Sequence, residues 1–221
     1  MFPDHLIIDF DSTFITKESL DELACFSLGE HPEKEGRLEK IRSLTEAGMV
    51  GEITFDESLS QRMALLDADR RDVEFVTSQL MNAITPSFAK QIDFLQKHNE
   101  SVWIISGGFR EMIIPIVSSY GISPAQVFAN DFIYGEHEKI LGVDSENPMA
   151  QAGGKVIQVN AMGLKGEIHV IGDGLTDYEL KGKGPASRFY AFIENVRREN
   201  VCELADGILN SFNDYIRLVR D

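Results

Sequence analysis

An apolar run near the start of the chain ends in two aspartates. The run "HLIIDF" covers residues 5–10, and Asp9, Asp11, Ser12 and Thr13 stand at its end. Carboxylates at this spacing can bind a hard cation, or one of them can act as a nucleophile. Taken alone, D-x-D-S-T is also typical of a turn or a helix cap. Its function has to be judged from the polar residues that follow the other apolar runs.

Three further polar segments occupy comparable positions. "SGG" follows the apolar part of the run at 101–106, "GDGLTD" lies at 172–177, and Lys155 follows two glycines at the start of a helical pattern. Each segment by itself is a common loop, turn or surface feature. All of them, however, fall at the carboxyl end of a predicted strand or the amino end of a predicted helix. In an open α/β sheet such ends converge on the edge where ligands bind.

The carboxylates among these residues suit a magnesium ion. Asp9 and Asp173 can each supply an oxygen, with a backbone carbonyl near Asp11 and water completing an octahedron. A bound cation would also offset the negative field that an acidic chain presents to a phosphate.

The remaining polar groups suit a phosphoryl group. Ser106 offers a hydroxyl, while Gly107 and Gly108 allow backbone N–H groups to approach an anion at the expected start of a helix. Lys155 supplies a positive charge for the phosphoryl oxygens. Together with the aspartates, these groups indicate phosphoryl transfer with a carboxylate nucleophile.

The elements that must position these residues alternate between strand and helix. Short apolar runs predict strands at 5–10, 101–106, 167–173 and 188–193, and helical spacing predicts helices at 109–121, 154–166 and 210–221. This alternation predicts a doubly wound α/β fold with a parallel sheet.

One long segment lacks strand patterns. Residues 17–83 contain four helical patterns in succession, which predicts a helical cap subdomain inserted after the first strand. Residues 1–16 and 84–221 would then form the core domain, with the cap over the ligand-binding edge. In the core, "GEHEK" predicts a hairpin turn between two short strands.

Composition limits the possible partners. The 221 residues include 21 basic and 36 acidic residues, giving a net charge of −15, so nucleic acid and anionic membranes are not expected partners. Cys25 and Cys202 are expected to be reduced thiols in the core. No signal peptide or apolar membrane span is recognisable, which predicts a cytoplasmic protein. The expected partner is a small molecule, and the expected assembly is a monomer or homodimer.

The four polar segments together resemble the motifs of the haloacid dehalogenase superfamily of phosphohydrolases. The resemblance extends to its phosphoserine phosphatase family through the stretches "DFDSTFITKESLDELA", "ISGGFREMI", "VFAN", "GGKVI" and "IGDGLTDYEL". It covers nearly the whole chain. It implies a Rossmann-type core and Mg²⁺-dependent hydrolysis of L-phosphoserine, a phosphorylated amino acid.

The resemblance also implies roles for the acids. Asp9 would be the nucleophile that forms an aspartyl-phosphate, and Asp11 would act first as an acid and then as a base. Asp9, the Asp11 carbonyl and Asp173 would hold Mg²⁺, while Asp177 would order Lys155 or a water on the metal. From the chemistry of the residues alone, either aspartate of the first motif could be the nucleophile.

The phosphoryl group and the substrate's other charges would have separate partners. The resemblance assigns the phosphoryl group to Ser106, Gly107, Gly108, Lys155 and Thr176.

The cap would select the amino acid part of the substrate. By its resemblance, Glu18 would face the substrate ammonium and Arg62 its carboxylate, while Met49 and Phe55 match the spacing of apolar contacts. Arginine can grip a carboxylate with two parallel hydrogen bonds. Read without the resemblance, Glu18 is a favourable acid at a helix start and Arg62 a solvated helix residue.

The chain departs from the family pattern after its last long strand. Ile193 and Glu194 stand where glycines are common, and this bulkier turn is expected to narrow or shift substrate choice; Arg198 is a further candidate contact. Alternatives are therefore a phosphatase for another small phosphomonoester such as phosphoethanolamine, a phosphotransferase to homoserine, or a non-catalytic phospho-ligand binder.

Overall fold

The computed structural model describes residues 2–220 and contains a parallel sheet of six strands. The strands of the chain are β1 (His5–Ile8), β2 (Val102–Phe109), β3 (Val127–Asn130), β4 (Phe132–Tyr134), β5 (Ile140–Val143), β6 (Ile168–Gly172), β7 (Arg188–Phe192) and β8 (Gly207–Leu209). The large sheet has the order β3-β2-β1-β6-β7-β8, and β4 pairs with β5 in a separate antiparallel hairpin.

Strand β1 lies at the centre of this sheet. Ile7 pairs with Trp103 of β2 on one side and with Val170 of β6 on the other. Leu6, Ile7 and Ile8 are at most 1% exposed, as expected for an apolar run buried on both faces. From β1 the chain adds β2 and β3 on one side and later β6, β7 and β8 on the other. The direction of strand addition therefore changes between β1 and β6, which is where ligands bind in such sheets.

Eleven α-helices surround the sheet in the described part of the chain. They are α1 (Ser19–Ser27), α2 (Lys34–Val50), α3 (Phe55–Met63), α4 (Arg70–Leu80), α5 (Pro86–Ala89), α6 (Ile92–Lys97), α7 (Arg110–Ser118), α8 (Gly154–Met162), α9 (Leu175–Gly182), α10 (Glu199–Cys202) and α11 (Phe212–Arg220). Within residues 2–220, no helix combines the length and apolar composition that a membrane crossing requires.

Helices α1–α4 follow one another between β1 and β2, and we call them the cap helices. An isolated antiparallel bridge joins Ile15 to Ile84 where the chain enters and leaves this segment. The cap helices contact the core through α4 on α7, and through α2 on α9. The division at residues 17–83 into a separate subdomain stays a prediction.

The hairpin lies beside the cap helices. Its turn contains His137 and Glu138 with positive φ, so "GEHEK" forms the predicted turn between two short strands. Ile140 donates a backbone hydrogen bond to Ala68, and the Arg70 guanidinium lies 4.1 Å over the Tyr134 ring. The amino end of α4 is thereby attached to the core.

Several sequence-based predictions need correction. Strand β2 extends beyond the predicted run at 101–106, through the two glycines to Phe109. Strand β8, only three residues long, was not predicted because such a short run gives no periodic signal. Cys25 is exposed while Cys202 is buried, so the prediction of two core thiols is wrong for Cys25. Cys25 falls on the side of α1 opposite Leu20, Leu23 and Ala24, which are buried.

Candidate active site

The chain turns sharply after β1 and presents its first two acids to the edge of the sheet. A tight turn covers Phe10–Phe14, and Ser12 adopts the left-handed conformation with φ of 52°. The Asn195 amide donates hydrogen bonds to backbone oxygens of this turn, among them Ser12 O at 3.0 Å. Asp9 and Asp11 are 2% and 7% exposed, so both carboxylates are buried where β1 ends.

Lys155 lies between two of the buried acids. Its Nζ is 2.9 Å from Asp9 Oδ1 and 2.7 Å from Asp177 Oδ1. Burial lowers the pKa of Lys155, but the charges of Asp177 and Asp9 outweigh it and raise the pKa above its usual value. The lysine therefore stays charged. Its helix can start here because Gly154 packs on Pro148, whose carbonyl oxygen would be 2.2 Å from any Cβ at that glycine.

Three buried carboxylates gather at the switch point between β1 and β6. Asp9, Asp173 and Asp177 each offer an oxygen, and these oxygens lie within 4.8 Å of one another. Burial raises the pKa of Asp173 and of Asp177 to about 7, with the charge of Asp9 adding to the effect. A hard divalent cation fits this set of oxygens, because it would relieve the repulsion among the three buried carboxylates.

Asp11 has a different environment. Its Oδ1 accepts a hydrogen bond from the Ser19 backbone N–H at 2.9 Å, and its Oδ2 accepts one from the Ser19 hydroxyl at 3.0 Å. Burial nevertheless raises the pKa of Asp11 to about 7. At neutral pH this carboxyl can either donate or accept a proton, as a general acid and base must.

The serine and two glycines of the second segment lie at the end of β2. The Ser106 hydroxyl accepts a hydrogen bond from the Gly108 backbone N–H at 3.1 Å, and the Asn130 amide donates to Gly107 O at 2.8 Å. A Cβ at Gly108 would lie 3.0 Å from Asp11 Oδ2, so the glycine permits this close approach. The helix predicted from residue 109 begins at Arg110 with Phe109 as its N-cap, directly after these glycines.

Most of the predicted residues line one cavity between the sheet edge and the cap helices. The lining residues are Asp9, Asp11, Glu18, Leu20, Met49, Phe55, Arg62, Ser106, Gly107, Gly108, Lys155 and Thr176. Only Leu20 in this set was not predicted. The predicted residues outside it are Asp173, Asp177 and Arg198; Asp177 contacts Lys155, and Arg198 contacts Asp173.

The cap side of the cavity carries two ionisable groups of opposite sign. Arg62 is only 6% exposed, so it is not a solvated helix residue, and its Nε donates no hydrogen bond to the described residues. The Glu18 carboxylate accepts a hydrogen bond from the Ser12 hydroxyl at 2.5 Å. Burial, followed by the charge of Asp11, raises the pKa of Glu18 to about 8. Glu18 therefore holds a proton at neutral pH more readily than an ordinary glutamate, and an approaching cation would favour its charged form.

Two residues near the departure from the family pattern, Glu194 and Arg198, do not line the cavity. Arg198 pairs with Asp173 and, through Nη2, with Glu46 Oε2 of α2 at 3.1 Å. Glu194 Oε1 accepts a hydrogen bond from the Ser87 backbone N–H at 3.2 Å, next to the start of α5. Neither Ile193 nor Glu194 lines the cavity, so the expected narrowing of the substrate pocket is not supported by their positions.

Several supporting residues escaped sequence analysis. Thr13 donates to Asp173 at 3.0 Å, Ser19 donates to Asp11, and Thr45 accepts a hydrogen bond from Arg62 at 3.2 Å. Glu46 contacts a residue 152 positions away in the chain. Hydroxyl groups and surface acids are too frequent to stand out by type, and these pairings have no characteristic spacing.

Comparisons with known proteins agree with this arrangement. A family model described as haloacid dehalogenase-like hydrolase matches residues 6–180. The phosphoserine phosphatase of Bos taurus is 32% identical over 216 residues, which are 95% of this chain and 90% of that protein. The chloroplastic phosphoserine phosphatase of Arabidopsis thaliana is 32% identical over 212 residues, covering 94% of this chain and 69% of that protein.

Solved structures show the same similarity. A phosphoserine phosphohydrolase-like protein from Francisella tularensis has a TM-score of 0.88 and 29% identity, covering 97% of this chain and 99% of that chain. A structure described as a phospho-aspartyl intermediate analogue of phosphoserine phosphatase has a TM-score of 0.76 and 25% identity, covering 96% of this chain and 97% of that chain. Together with the sheet topology, these similarities confirm the predicted fold class.

Proposed function

This chain belongs to the haloacid dehalogenase-like hydrolase family, and we propose that it hydrolyses L-phosphoserine to L-serine and phosphate. One observation carries the proposal. A single cavity has two acids and a lysine at the sheet edge, and a buried arginine and a glutamate on the side of the cap helices. The first group suits a phosphoryl centre, and the second suits an amino acid.

The charges on the cap side match phosphoserine. The substrate has an ammonium and a carboxylate on one carbon, so it needs an anion and a cation within one pocket. Arg62 is buried and has unused donors, which fits a carboxylate bound by two parallel hydrogen bonds. Glu18 would lose its proton when the ammonium enters and would then pair with it.

Mg²⁺ is the proposed cofactor. Asp9, Asp173 and Asp177 would hold it directly or through water, together with the backbone carbonyl of Asp11. When bound, the cation would neutralise the carboxylates and make the approach of a phosphate dianion favourable.

In the first step Asp9 is the nucleophile. Its carboxylate oxygen attacks phosphorus, an acyl-phosphate bond forms, and the bond between phosphorus and the serine oxygen breaks. Asp11 gives its proton to that departing oxygen, which a carboxyl with a pKa of about 7 can do at neutral pH. Lys155 and the residues at the end of β2 hold the phosphoryl oxygens throughout.

In the second step water restores the enzyme. Asp11, now a carboxylate, takes a proton from a water molecule while the water oxygen attacks phosphorus. The acyl-phosphate bond breaks, Asp9 regains its carboxylate, and inorganic phosphate leaves. The protons balance because Asp11 ends the cycle protonated, as it began.

The experiment that tests this function is phosphate release in the presence of Mg²⁺. The panel comprises L-phosphoserine, D-phosphoserine, phosphothreonine, phosphoethanolamine and p-nitrophenyl phosphate. A kcat/KM at least about tenfold higher for L-phosphoserine, equivalent to about 1.4 kcal/mol of discrimination, is the expected result. Similar low rates for all five compounds would overturn the substrate assignment.

A further inference from the structure

The guanidinium of Arg62 is buried close to several acids and yet forms no ion pair with them among residues 2–220. The charges that act on its pKa are, in order, those of Asp21, Glu18 and Asp11, and they oppose the lowering by burial. Its only hydrogen bond within these residues runs from Nη1 to the hydroxyl oxygen of Thr45 at 3.2 Å. An arginine so placed would ordinarily pair directly with a carboxylate. Another contact must therefore keep the guanidinium apart from these carboxylates.

Thr45 joins the arginine to Asp21, the acid whose charge acts most strongly on it. Its hydroxyl oxygen accepts from Arg62 and lies 2.9 Å from Asp21 Oδ1 and 3.1 Å from Ile41 O in the preceding turn of α2, so its single proton is shared between these two acceptors. Thr45 is 5% exposed, so water cannot easily replace it. Asp21 is therefore linked to Arg62 through the neutral hydroxyl of Thr45 and not through a direct ion pair.

We propose that Thr45 and Asp21 are positioning residues, which hold Arg62 with most of its hydrogen-bond donors turned towards the cavity and free for the substrate carboxylate. Arginine has five N–H donors in a fixed fork, and a direct bidentate pair with Asp21 would use up the edge that a substrate needs. The hydroxyl uses a single donor. The carboxylate of Asp21, hydrogen-bonded to the same hydroxyl, offsets the buried positive charge of Arg62. This inference rests on the proposed function and explains how that function distinguishes a carboxylate-bearing substrate.

The test replaces the hydroxyl without changing the shape of the side chain. Thr45→Val removes the hydrogen-bonding oxygen, and Thr45→Ser restores it. Steady-state kinetics with Mg²⁺ are measured on L-phosphoserine and on phosphoethanolamine, which has the ammonium but no carboxylate. We expect Thr45→Val to raise KM for L-phosphoserine about tenfold with kcat little changed, because a charge-assisted hydrogen bond is lost or misaligned. KM for phosphoethanolamine should change less than about twofold, and Thr45→Ser should recover most of the loss.

Thr77 provides a matched control. It is 6% exposed and donates to Val73 O at 2.7 Å in the preceding turn of α4, as Thr45 does in α2. No other side chain bonds to it among the described residues. Thr77→Val therefore reproduces the loss of a buried helical hydroxyl without touching Arg62. It should leave the ratio of kcat/KM for the two substrates unchanged, while its melting temperature reports the structural cost common to both variants.

Two outcomes would overturn the inference, and they differ in what else they overturn. If the unmodified protein prefers L-phosphoserine and Thr45→Val keeps the same ratio, the positioning role is wrong and the proposed function stands. An equal fall on both substrates has the same meaning, since it indicates a general structural effect. If the unmodified protein shows no preference for L-phosphoserine, the substrate assignment fails and the inference fails with it.

Discussion

Replacing Arg62 tests the proposed recognition of the substrate carboxylate most directly. The side chain is 6% exposed, lines the cavity, and has an Nε that donates to no described residue. A carboxylate bound there would accept two charge-assisted hydrogen bonds, each worth about 1.5–3 kcal/mol in a buried site. Since such contributions are not additive, we expect Arg62→Ala to cost about 3 kcal/mol, or roughly 150-fold in kcat/KM for L-phosphoserine.

A second variant separates charge from geometry. Arg62→Lys keeps the positive charge but cannot form the planar pair of hydrogen bonds, so about a tenfold loss is expected. Phosphoethanolamine has no carboxylate to bind, and its kcat/KM should change less than about threefold in either variant. The preference for L-phosphoserine should therefore nearly disappear in Arg62→Ala while hydrolysis itself continues.

The assay is initial-rate phosphate release at saturating Mg²⁺, with melting temperatures measured for each variant. Melting matters because Arg62→Ala leaves Asp21, Glu18 and Asp11 without their buried cation. An equal loss on both substrates, with a lowered melting temperature, would show that Arg62 is needed only for the structure. An unchanged kcat/KM for L-phosphoserine in a stable variant would refute the reasoning, since the carboxylate would then bind elsewhere.

Four other predictions follow from the same geometry. Asp9→Asn should lower kcat at least about a thousandfold in phosphate-release assays, because an amide cannot serve as the nucleophile. Burial raises the pKa of Glu18 to about 8, so below that pH its carboxyl must lose a proton before it can bind an ammonium. KM for L-phosphoserine should therefore fall as the pH rises from about 6 to 8. Glu18→Gln should have a high KM that does not depend on pH in this way. Glu46→Gln removes a half-exposed ion pair to Arg198 worth roughly 0.5 kcal/mol, which should loosen the end of α2 and raise KM about twofold. Glu39→Gln, on the same helix, should leave KM unchanged. Chelation of divalent cations should abolish activity, which Mg²⁺ should restore and Ca²⁺ should not, because Ca²⁺ prefers a larger and looser coordination shell.

Each of these predictions has a contradicting result. Substantial turnover by Asp9→Asn would mean that the other aspartate of the first motif attacks. The same pH dependence of KM in the unmodified protein and in Glu18→Gln would assign the titration to another group. Equal kinetic effects of Glu46→Gln and Glu39→Gln would indicate a general effect of charge, and full activity with Ca²⁺ alone would contradict the proposed metal site.

Some features of this protein follow from the sequence alone because they depend on neighbouring residues. Apolar runs predicted β1, β2, β6 and β7, and the alternation of strands and helices predicted the parallel sheet. In a parallel sheet the carboxyl ends of the strands meet by geometry. Asp9, Asp173 and Lys155 could therefore be placed at one edge from the sequence pattern, and the family resemblance added Asp177; in the structure Lys155 lies within ion-pairing distance of Asp9 and Asp177.

Other features depend on how distant elements pack. Gly107 and Gly108 have the composition of a loop, yet they belong to β2, because the strand pairs with β3 again at Phe109 and Asn130 after an irregular stretch in which the register shifts. Ile193 and Glu194 look like a change of the substrate pocket, but Glu194 turns towards α5. Their directions are set by tertiary contacts and not by local preference.

The same limit applies to the interactions that prepare the site for its substrate. The hydrogen bonds from Arg62 to Thr45 and from Thr45 to Asp21 join residues 17 and 24 positions apart, while Arg198 reaches Glu46 across 152 positions. A sequence pattern shows that an arginine is present. Only the packing of α2 and α3 decides that this arginine is buried, kept from its neighbouring carboxylates and left with donors for a ligand, because these distances arise only when the helices meet.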